Sequence, residues 1–291
     1  MIAALIATVM VSTSGAGAGT ATASSGAGVV LDFADHLLNG GEPFRAAGEY
    51  ERYLFLCPAC ERAPYAERKL ADAFRRGGRS REAAARYQAV AASHPDSPDA
   101  PIAAASAAES LEEAGSPGEA SDAYRAYLSQ FPREPMAAEA WTRSLRTALR
   151  ANDAARVRTA LGVAAPAGAP DVDEAGLLAA LDRRPSRRSP ALAGTMSAIL
   201  PGAGHVYAGR YRDGVMAFVV NALFIGGAVI AYDHDQYALA GALGGAEIFW
   251  YGGSVVGAVN AADGHNRRAE ALHYKSLERK WVPSAALSLR F

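Results

Sequence analysis

The strongest constraint on the fold is a sequence pattern that recurs every 37 residues between residues 30 and 132. Five kinds of position return in register: a small residue, a glycine, an alanine, a tyrosine and a proline. The residues concerned are Ala34, Gly41, Ala46, Tyr50, Pro58, Ala71, Gly78, Ala83, Tyr87, Pro95, Ala108, Gly115, Ala120, Tyr124 and Pro132. A period of about 20 to 50 residues is typical of a solenoid, in which each unit buries its apolar face by stacking on its neighbours.

The order of these residues predicts two helices in each unit. In the second unit, Ala71 lies on the apolar face of a helix that Gly78 ends, because glycine adopts left-handed backbone at low steric cost. Ala83 and Tyr87 form the apolar stripe of the next helix, and Pro95 ends that helix. Aromatic residues at helical spacing usually belong to the core, so we expect the three repeated tyrosines to be buried.

This order resembles the tetratricopeptide repeat, whose usual unit is about 34 residues long. The proline-rich linker at residues 94–101 is similar to that of envelope tetratricopeptide proteins of the BamD and CpoB families. The resemblance implies an α-solenoid over residues 29–162 with a concave groove for a peptide or helix of a partner protein. We expect polar residues of the first helices, such as Arg68, Arg75 and Glu112, to line that groove.

Beyond the third unit the register weakens. Trp141 and Leu145 fall at first-helix positions, and Val157 and Leu161 fall at second-helix positions, whereas the repeated glycine and tyrosine are gone. A degenerate last unit is typical of a solenoid cap. We therefore expect Trp141 to cover the end of the stack.

Residues 1–28 form a low-complexity leader. Residues 2–11 are mostly apolar, and residues 21–23 match the A-x-A pattern of signal-peptide cleavage, although no Lys or Arg precedes the apolar run. We predict a signal peptide and a mature chain that begins near Ser24. The alternative is a disordered leader rich in alanine and glycine.

Cys57 and Cys60, the only cysteines, form a C-x-x-C pair after the first unit. Three interpretations are open: an inert disulfide or free thiols, a redox dithiol, or half of a zinc site. No βαβ pattern surrounds the pair, and no second C-x-x-C offers further zinc ligands. We favour the inert pair, with a disulfide expected in an oxidising compartment.

The composition changes after the repeats. Residues 163–189 are rich in alanine, proline, glycine and aspartate, which predicts a linker and a domain boundary. The linker ends in a basic cluster, Arg183, Arg184, Arg187 and Arg188, which is typical of a headgroup contact or a topology signal next to a membrane segment.

Residues 190–265 form a predicted membrane module with apolar segments at about 190–206, 215–232 and 237–259. The last two segments reach spanning length and are separated only by a short polar turn, which predicts a transmembrane helical hairpin. The first segment is interrupted near its end, so a third span, a re-entrant segment and an interfacial helix are all open.

A glycine-rich motif at the start of this module supplies a second resemblance. Its residues are Pro201, Gly202, Gly204, Tyr207, Gly209 and Gly214. This motif, followed by an apolar hairpin, is similar to the TM2-type and DUF5683-type membrane modules over residues 190 to 267. The resemblance implies a membrane location and no particular chemistry.

Two topologies are open for this module. With two spans, all the flanking arginines lie on one side of the membrane and the repeats are cytoplasmic. With three spans the repeats are periplasmic, which agrees with the predicted signal peptide. We expect three membrane segments and periplasmic repeats.

Asn221 and Glu247 are the polar residues that interrupt the two predicted spans. An ionised carboxylate in the bilayer core costs on the order of 2.5 kcal/mol or more, so Glu247 needs a partner or a proton. One interpretation is a proton or ion relay that also includes Asn260. We favour a polar clasp in which Asn221 and Glu247 hold the hairpin closed.

The tail, residues 266–291, begins as a predicted charged helix. It ends in an alternation of apolar and polar residues up to Phe291, which is strand periodicity. The terminal Phe resembles the closing strand of outer-membrane β-barrels. Pairing with the sheet edge of another protein and a frayed tail are both open.

The sequence thus predicts an all-α protein: a tetratricopeptide-type α-solenoid followed by a transmembrane helical hairpin. The net charge of −1 leaves no basic excess for binding nucleic acid. No nucleophile with a base and no phosphate loop is present, and His205, Asp233, His234, Asp235 and His265 lack the spacing of metal ligands. No metal or cofactor is predicted.

We predict a non-catalytic protein–protein interaction scaffold of the bacterial cell envelope, which contacts an unidentified protein partner and the lipid bilayer. One alternative is an accessory component of a membrane transport or protein-insertion system that uses the polar residues of the hairpin. A redox protein acting through the cysteine pair is a weaker alternative.

Overall fold

A computed structural model describes residues 16–282, and the backbone alone for residues 16–25. All regular structure in that range is α-helical, which confirms the all-α part of the predicted fold. The helices are α1 (Ala16–Asn39), α2 (Pro43–Leu56), α3 (Ala63–Arg76), α4 (Ser80–Ser93), α5 (Asp99–Glu113), α6 (Pro117–Gln130), α7 (Ala137–Arg150), α8 (Ala154–Leu161), α9 (Glu174–Asp182), α10 (Pro190–Ile199), α11 (Ala203–Tyr207), α12 (Tyr211–Asp233) and α13 (Tyr237–Trp281).

Two sequence predictions concern the ends of the chain. The apolar part of the predicted signal peptide and the alternating segment that ends at Phe291 lie outside the described residues. The remainder of the predicted leader belongs to α1, which starts at Ala16, and Ala27 in that helix is 1% exposed. The packed helix therefore begins upstream of residue 29.

The described chain divides into two compact units, with the division between Val172 and Asp173. The first unit contains α1 to α8, and the second contains α9 to α13. The division falls inside the predicted linker.

In the first unit each helix packs against the next, so that α1 to α8 form a stack of helical hairpins. The six repeated alanines and three repeated tyrosines of the sequence pattern are all 0% exposed. Alanine allows close approach between helices, and the tyrosine rings fill the space between neighbouring hairpins. The pattern residues that recur every 37 positions in the helices are thus buried residues of the stack.

Each hairpin turns through a residue with left-handed backbone. Gly41, Gly78 and Gly115 have φ angles of 79°, 79° and 71°. Asn152, which is 37 residues after Gly115, has φ of 54°. Asparagine tolerates this conformation better than most residues with a side chain. The last unit therefore keeps the turn of the repeats although it lacks the glycine.

The end of the stack is closed by Trp141. Its side chain is 1% exposed, and its indole Nε1 donates a hydrogen bond to the Val163 carbonyl at 2.9 Å. The chain that follows α8 therefore passes over the tryptophan, and Val157 and Leu161 of α8 are buried as well.

In the second unit α12 and α13 form an antiparallel hairpin. The Tyr232 and Tyr237 rings, on either side of the turn, have centroids 5.5 Å apart. Farther from the turn, Gly227 faces Leu243. Helix α13 has 45 residues and joins the second predicted span to the charged tail without a break.

Among the described helices, α12 is long and apolar enough to cross a membrane, and only 17% of its apolar stretch is buried. Helix α13 does not reach the same mean hydropathy, because glycines, a serine, three aromatic residues with polar groups and Glu247 lower the hydropathy of its first half. The two-span transmembrane hairpin stays a prediction.

The first apolar segment, at about residues 190–206, does not form one spanning helix. Gly202 has φ of 87° and divides it into α10, with 10 residues, and α11, with five. A helix of ten residues is about 15 Å long, about half of the hydrocarbon thickness of a bilayer.

Candidate functional site

The first helices of the repeats carry a row of carboxylates on one face. Asp35, Asp72 and Glu109 each follow a repeated alanine of the pattern, at the same spacing of 37 residues. The Asp35 carboxylate accepts hydrogen bonds from the hydroxyls of Tyr50 at 2.6 Å and Tyr65 at 3.0 Å. The first tyrosine belongs to α2 and the second to α3, so one carboxylate ties three helices together.

The next carboxylate repeats this arrangement with different donors. Asp72 accepts a short hydrogen bond from the Tyr87 hydroxyl. The same carboxylate lies 3.4 Å from the Arg68 guanidinium and 3.5 Å from the Lys69 ammonium. The tyrosine is therefore a core residue with a polar end that reaches the half-buried face.

In the third unit the acceptor is shifted by one helical turn. The Tyr124 hydroxyl donates to Glu112 at 2.6 Å and accepts from Arg143 Nη1 at 3.0 Å. Glu109 forms ion pairs with Arg75 at 3.0 Å and with Arg143 at 3.4 Å. We call the linked tyrosines, carboxylates and arginine of these three units the tyrosine–carboxylate ladder. Its members are Asp35, Tyr50, Tyr65, Asp72, Tyr87, Glu109, Glu112, Tyr124 and Arg143.

Burial and the ladder contacts raise the pKa of the tyrosine phenols. Burial, and then the hydrogen bond to Asp35, raises the pKa of Tyr65 to about 12. Burial is also the main reason why the pKa values of Tyr50, Tyr87 and Tyr124 lie above the ordinary value of 10. All four hydroxyls therefore remain donors at neutral pH.

The predicted groove residues are all engaged inside the stack. Arg68 pairs with Asp99 at 2.6 Å, Arg75 pairs with Glu109 at 3.0 Å, and Glu112 pairs with Arg143 at 3.6 Å. Each pair joins the first helices of neighbouring units. Their charges are thus already paired within the stack, and their place in a ligand groove stays a prediction.

Of the ladder carboxylates, Glu112 was expected on this face, whereas Asp35, Asp72 and Glu109 were not predicted as site residues. The signal was present, because Asp35, Asp72 and Glu109 follow the same 37-residue register as the alanines beside them. This register was overlooked because acidic residues on a helix usually face solvent. Here the hydroxyls of buried tyrosines donate hydrogen bonds to Asp35 and Asp72.

The same face also offers surface for a ligand. Ile102 of α5 is 49% exposed and is in register with Tyr65 of α3. Ser106 lies one turn farther along α5 and is half-buried. An exposed apolar side chain beside paired charges and a hydroxyl can contact a peptide through both apolar and polar groups.

Cys57 and Cys60 are joined in a disulfide between α2 and α3, with their Cα atoms 5.4 Å apart. Neither sulfur is a free thiol in this form. Among the described residues, no group of three histidine, cysteine or acidic side chains is placed to hold a metal ion.

The predicted clasp between Asn221 and Glu247 does not form. The Asn221 amide is 1% exposed and donates to the Ala217 carbonyl of its own helix at 2.5 Å. Glu247 is 8% exposed, and neither of its carboxylate oxygens has a hydrogen-bond partner within residues 16–282. Asn260 is exposed, so the structure does not assemble the three residues of the predicted relay.

The motif glycines of the membrane module are sites of close packing. A Cβ atom on Gly202 would lie 2.0 Å from the Gly214 carbonyl oxygen, and one on Gly204 would lie 1.9 Å from the Ala193 carbonyl oxygen. Only glycine fits at these points, where α10, α11 and α12 meet. Tyr207 and Gly209 close the other end of α11, and Gly209 has φ of 80°.

The stacked hairpins and their periodic core define a helical-repeat protein of the solenoid class. A sequence profile described as the tetratricopeptide repeat matches residues 65–97, which cover α4 and nearly all of α3. The chain thus contains a tetratricopeptide repeat, which confirms that part of the sequence prediction. No curated protein matches the chain.

Proposed function

We propose that this protein is a non-catalytic scaffold whose repeats bind a protein partner and whose second unit tethers them to a membrane of the bacterial cell envelope. The observation that carries the first half is the stack of α1 to α8 around a tetratricopeptide repeat at residues 65–97. Such repeats commonly mediate protein interactions. The face with Ile102 and the ladder is the proposed docking surface.

The membrane half of the proposal rests on the apolar surface of the second unit. Leu223 and Ile230 of α12 are 69% and 62% exposed, and Ile248 and Phe249 of α13 are 78% and 86% exposed. Large apolar surfaces of this kind are rare on proteins surrounded by water. Hydrocarbon would cover them, with α12 as one span and the first half of α13 as the second.

Site-specific photo-crosslinking in native membranes tests the scaffold. A photoreactive amino acid is placed at Ile102 on the first-helix face or, as a matched control, at Ala89, which is exposed on the second helix α4. We expect a discrete protein adduct from position 102 and none from position 89. Equal labelling at both positions, or none at position 102, would contradict the proposed docking face.

A second candidate function is supported by Glu247. Its two carboxylate oxygens and the Asn221 oxygen are buried without hydrogen-bond partners in the described part of the chain. An unpaired buried carboxylate is costly, which favours a role in proton or ion movement, as in an accessory component of a transport or insertion system. The Glu247→Gln variant tests it: normal folding with lost function supports this role, and unchanged function excludes it.

A further inference from the structure

The path of the chain around α13 shows how the second unit would enter a membrane. Helix α10 runs antiparallel to α13: Gly194 faces Val259, and the Tyr251 hydroxyl donates to the Ala198 carbonyl at 2.6 Å. Because α10 has only 10 residues, its far end reaches about half of the depth of a bilayer core.

The chain then turns back. After the left-handed Gly202, α11 returns toward the start of α10. The Ser189 amide, immediately before α10, donates to the Tyr207 hydroxyl at the end of α11 at 3.0 Å. The Arg188 guanidinium donates a short hydrogen bond to the Tyr207 carbonyl. The entry and exit of this segment are thus adjacent, as in a re-entrant hairpin.

The two ends of the second unit also meet. Helix α9 packs against α13, and Leu177 of α9 is 0% exposed, while Tyr274 and Leu277 near the end of α13 are 7% and 3% exposed. Because Asn266 of α13 hydrogen-bonds the backbone of Arg188, which precedes α10, the chain arrives at the hairpin and leaves it at the same end. If a membrane surrounds α12 and the first half of α13, the chain therefore crosses it an even number of times.

Arginines from three segments gather at this end. Asn266 is 9% exposed and clamps the backbone of Arg188: it accepts from the Arg188 amide and donates to the Arg188 carbonyl, both at 2.8 Å. The clamp places the linker arginines beside those that follow Asn266. We call the set the arginine collar: Arg183, Arg184, Arg187, Arg188, Arg210, Arg212, Arg267 and Arg268.

The opposite end of the hairpin carries negative charge. Asp233, the last residue of α12, and Asp235, in the turn after it, are both exposed. Within the collar, Arg210 pairs with Asp213, while the side chains of Arg183, Arg184 and Arg187 are exposed. The collar thus presents an excess of positive charge next to the apolar surface of the hairpin.

We propose that the arginine collar binds the phosphate groups of anionic lipids in one leaflet, and that α12 and α13 cross the membrane twice while α10 and α11 are re-entrant. This rests on the proposed membrane tether. Arginine matches the geometry of phosphate oxygens, and basic residues favour the cytoplasmic leaflet. The chain on both sides of the hairpin, including the repeats, then lies on the cytoplasmic side, in place of the expected periplasmic location.

Lipid binding is tested with the full chain in detergent by fluorescence anisotropy of acyl-labelled phosphatidylglycerol and phosphatidylcholine. We expect tighter binding of phosphatidylglycerol, and a loss on the order of a hundredfold in R183Q/R184Q/R187Q. The matched control R45Q/R52Q/R81Q removes three exposed charges from the repeats and should bind as the unmodified protein does. Equal affinity for both lipids, equal loss in both variants, or displacement by inorganic phosphate would overturn the lipid assignment.

Orientation is tested by labelling single cysteines with a membrane-impermeant maleimide in intact spheroplasts and inverted vesicles. In a C57S/C60S background, which removes the only native cysteines, Ser186→Cys, Gln236→Cys and Ser276→Cys report their own positions. We expect positions 186 and 276 to react only in inverted vesicles and position 236 only in spheroplasts. Labelling of 186 and 276 from opposite sides would overturn the two-crossing topology. Labelling of all three in both preparations would instead overturn the membrane tether itself.

Discussion

The Tyr124→Phe substitution removes one hydroxyl from the tyrosine–carboxylate ladder and keeps the buried ring. The hydroxyl donates to Glu112 at 2.6 Å and accepts from Arg143 at 3.0 Å. A hydrogen bond to a charged group contributes about 1.5–3 kcal/mol. Glu112 keeps its ion pairs with Arg143 at 3.6 Å and Arg150 at 3.8 Å, so the carboxylate is not left unpaired. We therefore expect a total loss of about 2 kcal/mol rather than twice that value.

The assay is urea unfolding of the full-length protein in detergent. In a W250F/W281F background Trp141 is the remaining tryptophan and reports on the first unit alone. The expected result is a lower midpoint with an unchanged slope, because the surface exposed on unfolding stays the same.

Tyr127→Phe is the matched control on the same helix. Tyr127 is 2% exposed, and its hydroxyl hydrogen-bonds no residue within the described range 16–282. We expect its loss of stability to stay within about 0.5 kcal/mol. Equal losses for the two variants would refute the idea that the ladder stabilises the stack.

Three further predictions concern the first unit and use the same unfolding assay. Gly78→Ala should cost about 1–2 kcal/mol because φ is 79°, whereas Gly48→Ala, inside α2 with open space around the new Cβ, should stabilise by up to about 1 kcal/mol. Asp153→Ala should cost about 1 kcal/mol, because this residue caps α8 by accepting from the amides of residues 155 and 156. The raised pKa of Tyr65, about 12 against 10, contributes stability below pH 10 that is lost between pH 10 and about 12.

Each of these expectations has a contradicting result. Equal stability changes for the two glycine variants would show that the turn does not require left-handed backbone. An unchanged midpoint for Asp153→Ala would show that the cap is dispensable. Unfolding midpoints that stay constant from neutral pH to above pH 12 would show that the buried phenols are not linked to folding.

The repeats could be predicted because burial and backbone conformation share one period. A buried alanine and a left-handed glycine are each required by local geometry, so they return wherever the geometry returns. The turn at Asn152 escaped prediction because a different residue satisfies the same backbone requirement. At this turn the last unit differs from the repeats in its residue and keeps their left-handed backbone.

The second unit was harder to predict, because hydropathy does not determine where helices end. Helix α13 passes from apolar to charged sequence without a break, since no proline interrupts residues 237–281. The residues that stop α10, by contrast, were recognisable at Pro201 and Gly202. The predicted clasp failed for another reason: Asn221 and Glu247 lie on facing helices, but the Asn221 amide binds the carbonyl one turn earlier on its own helix.

We propose that the helical stack, which contains a tetratricopeptide repeat, is anchored by a hairpin embedded in lipid. The most direct test is extraction of membranes from cells that produce the full-length protein, using alkaline carbonate followed by sedimentation. We expect the protein to stay in the membrane pellet and to be released only by detergent. Recovery in the carbonate supernatant without detergent would contradict it.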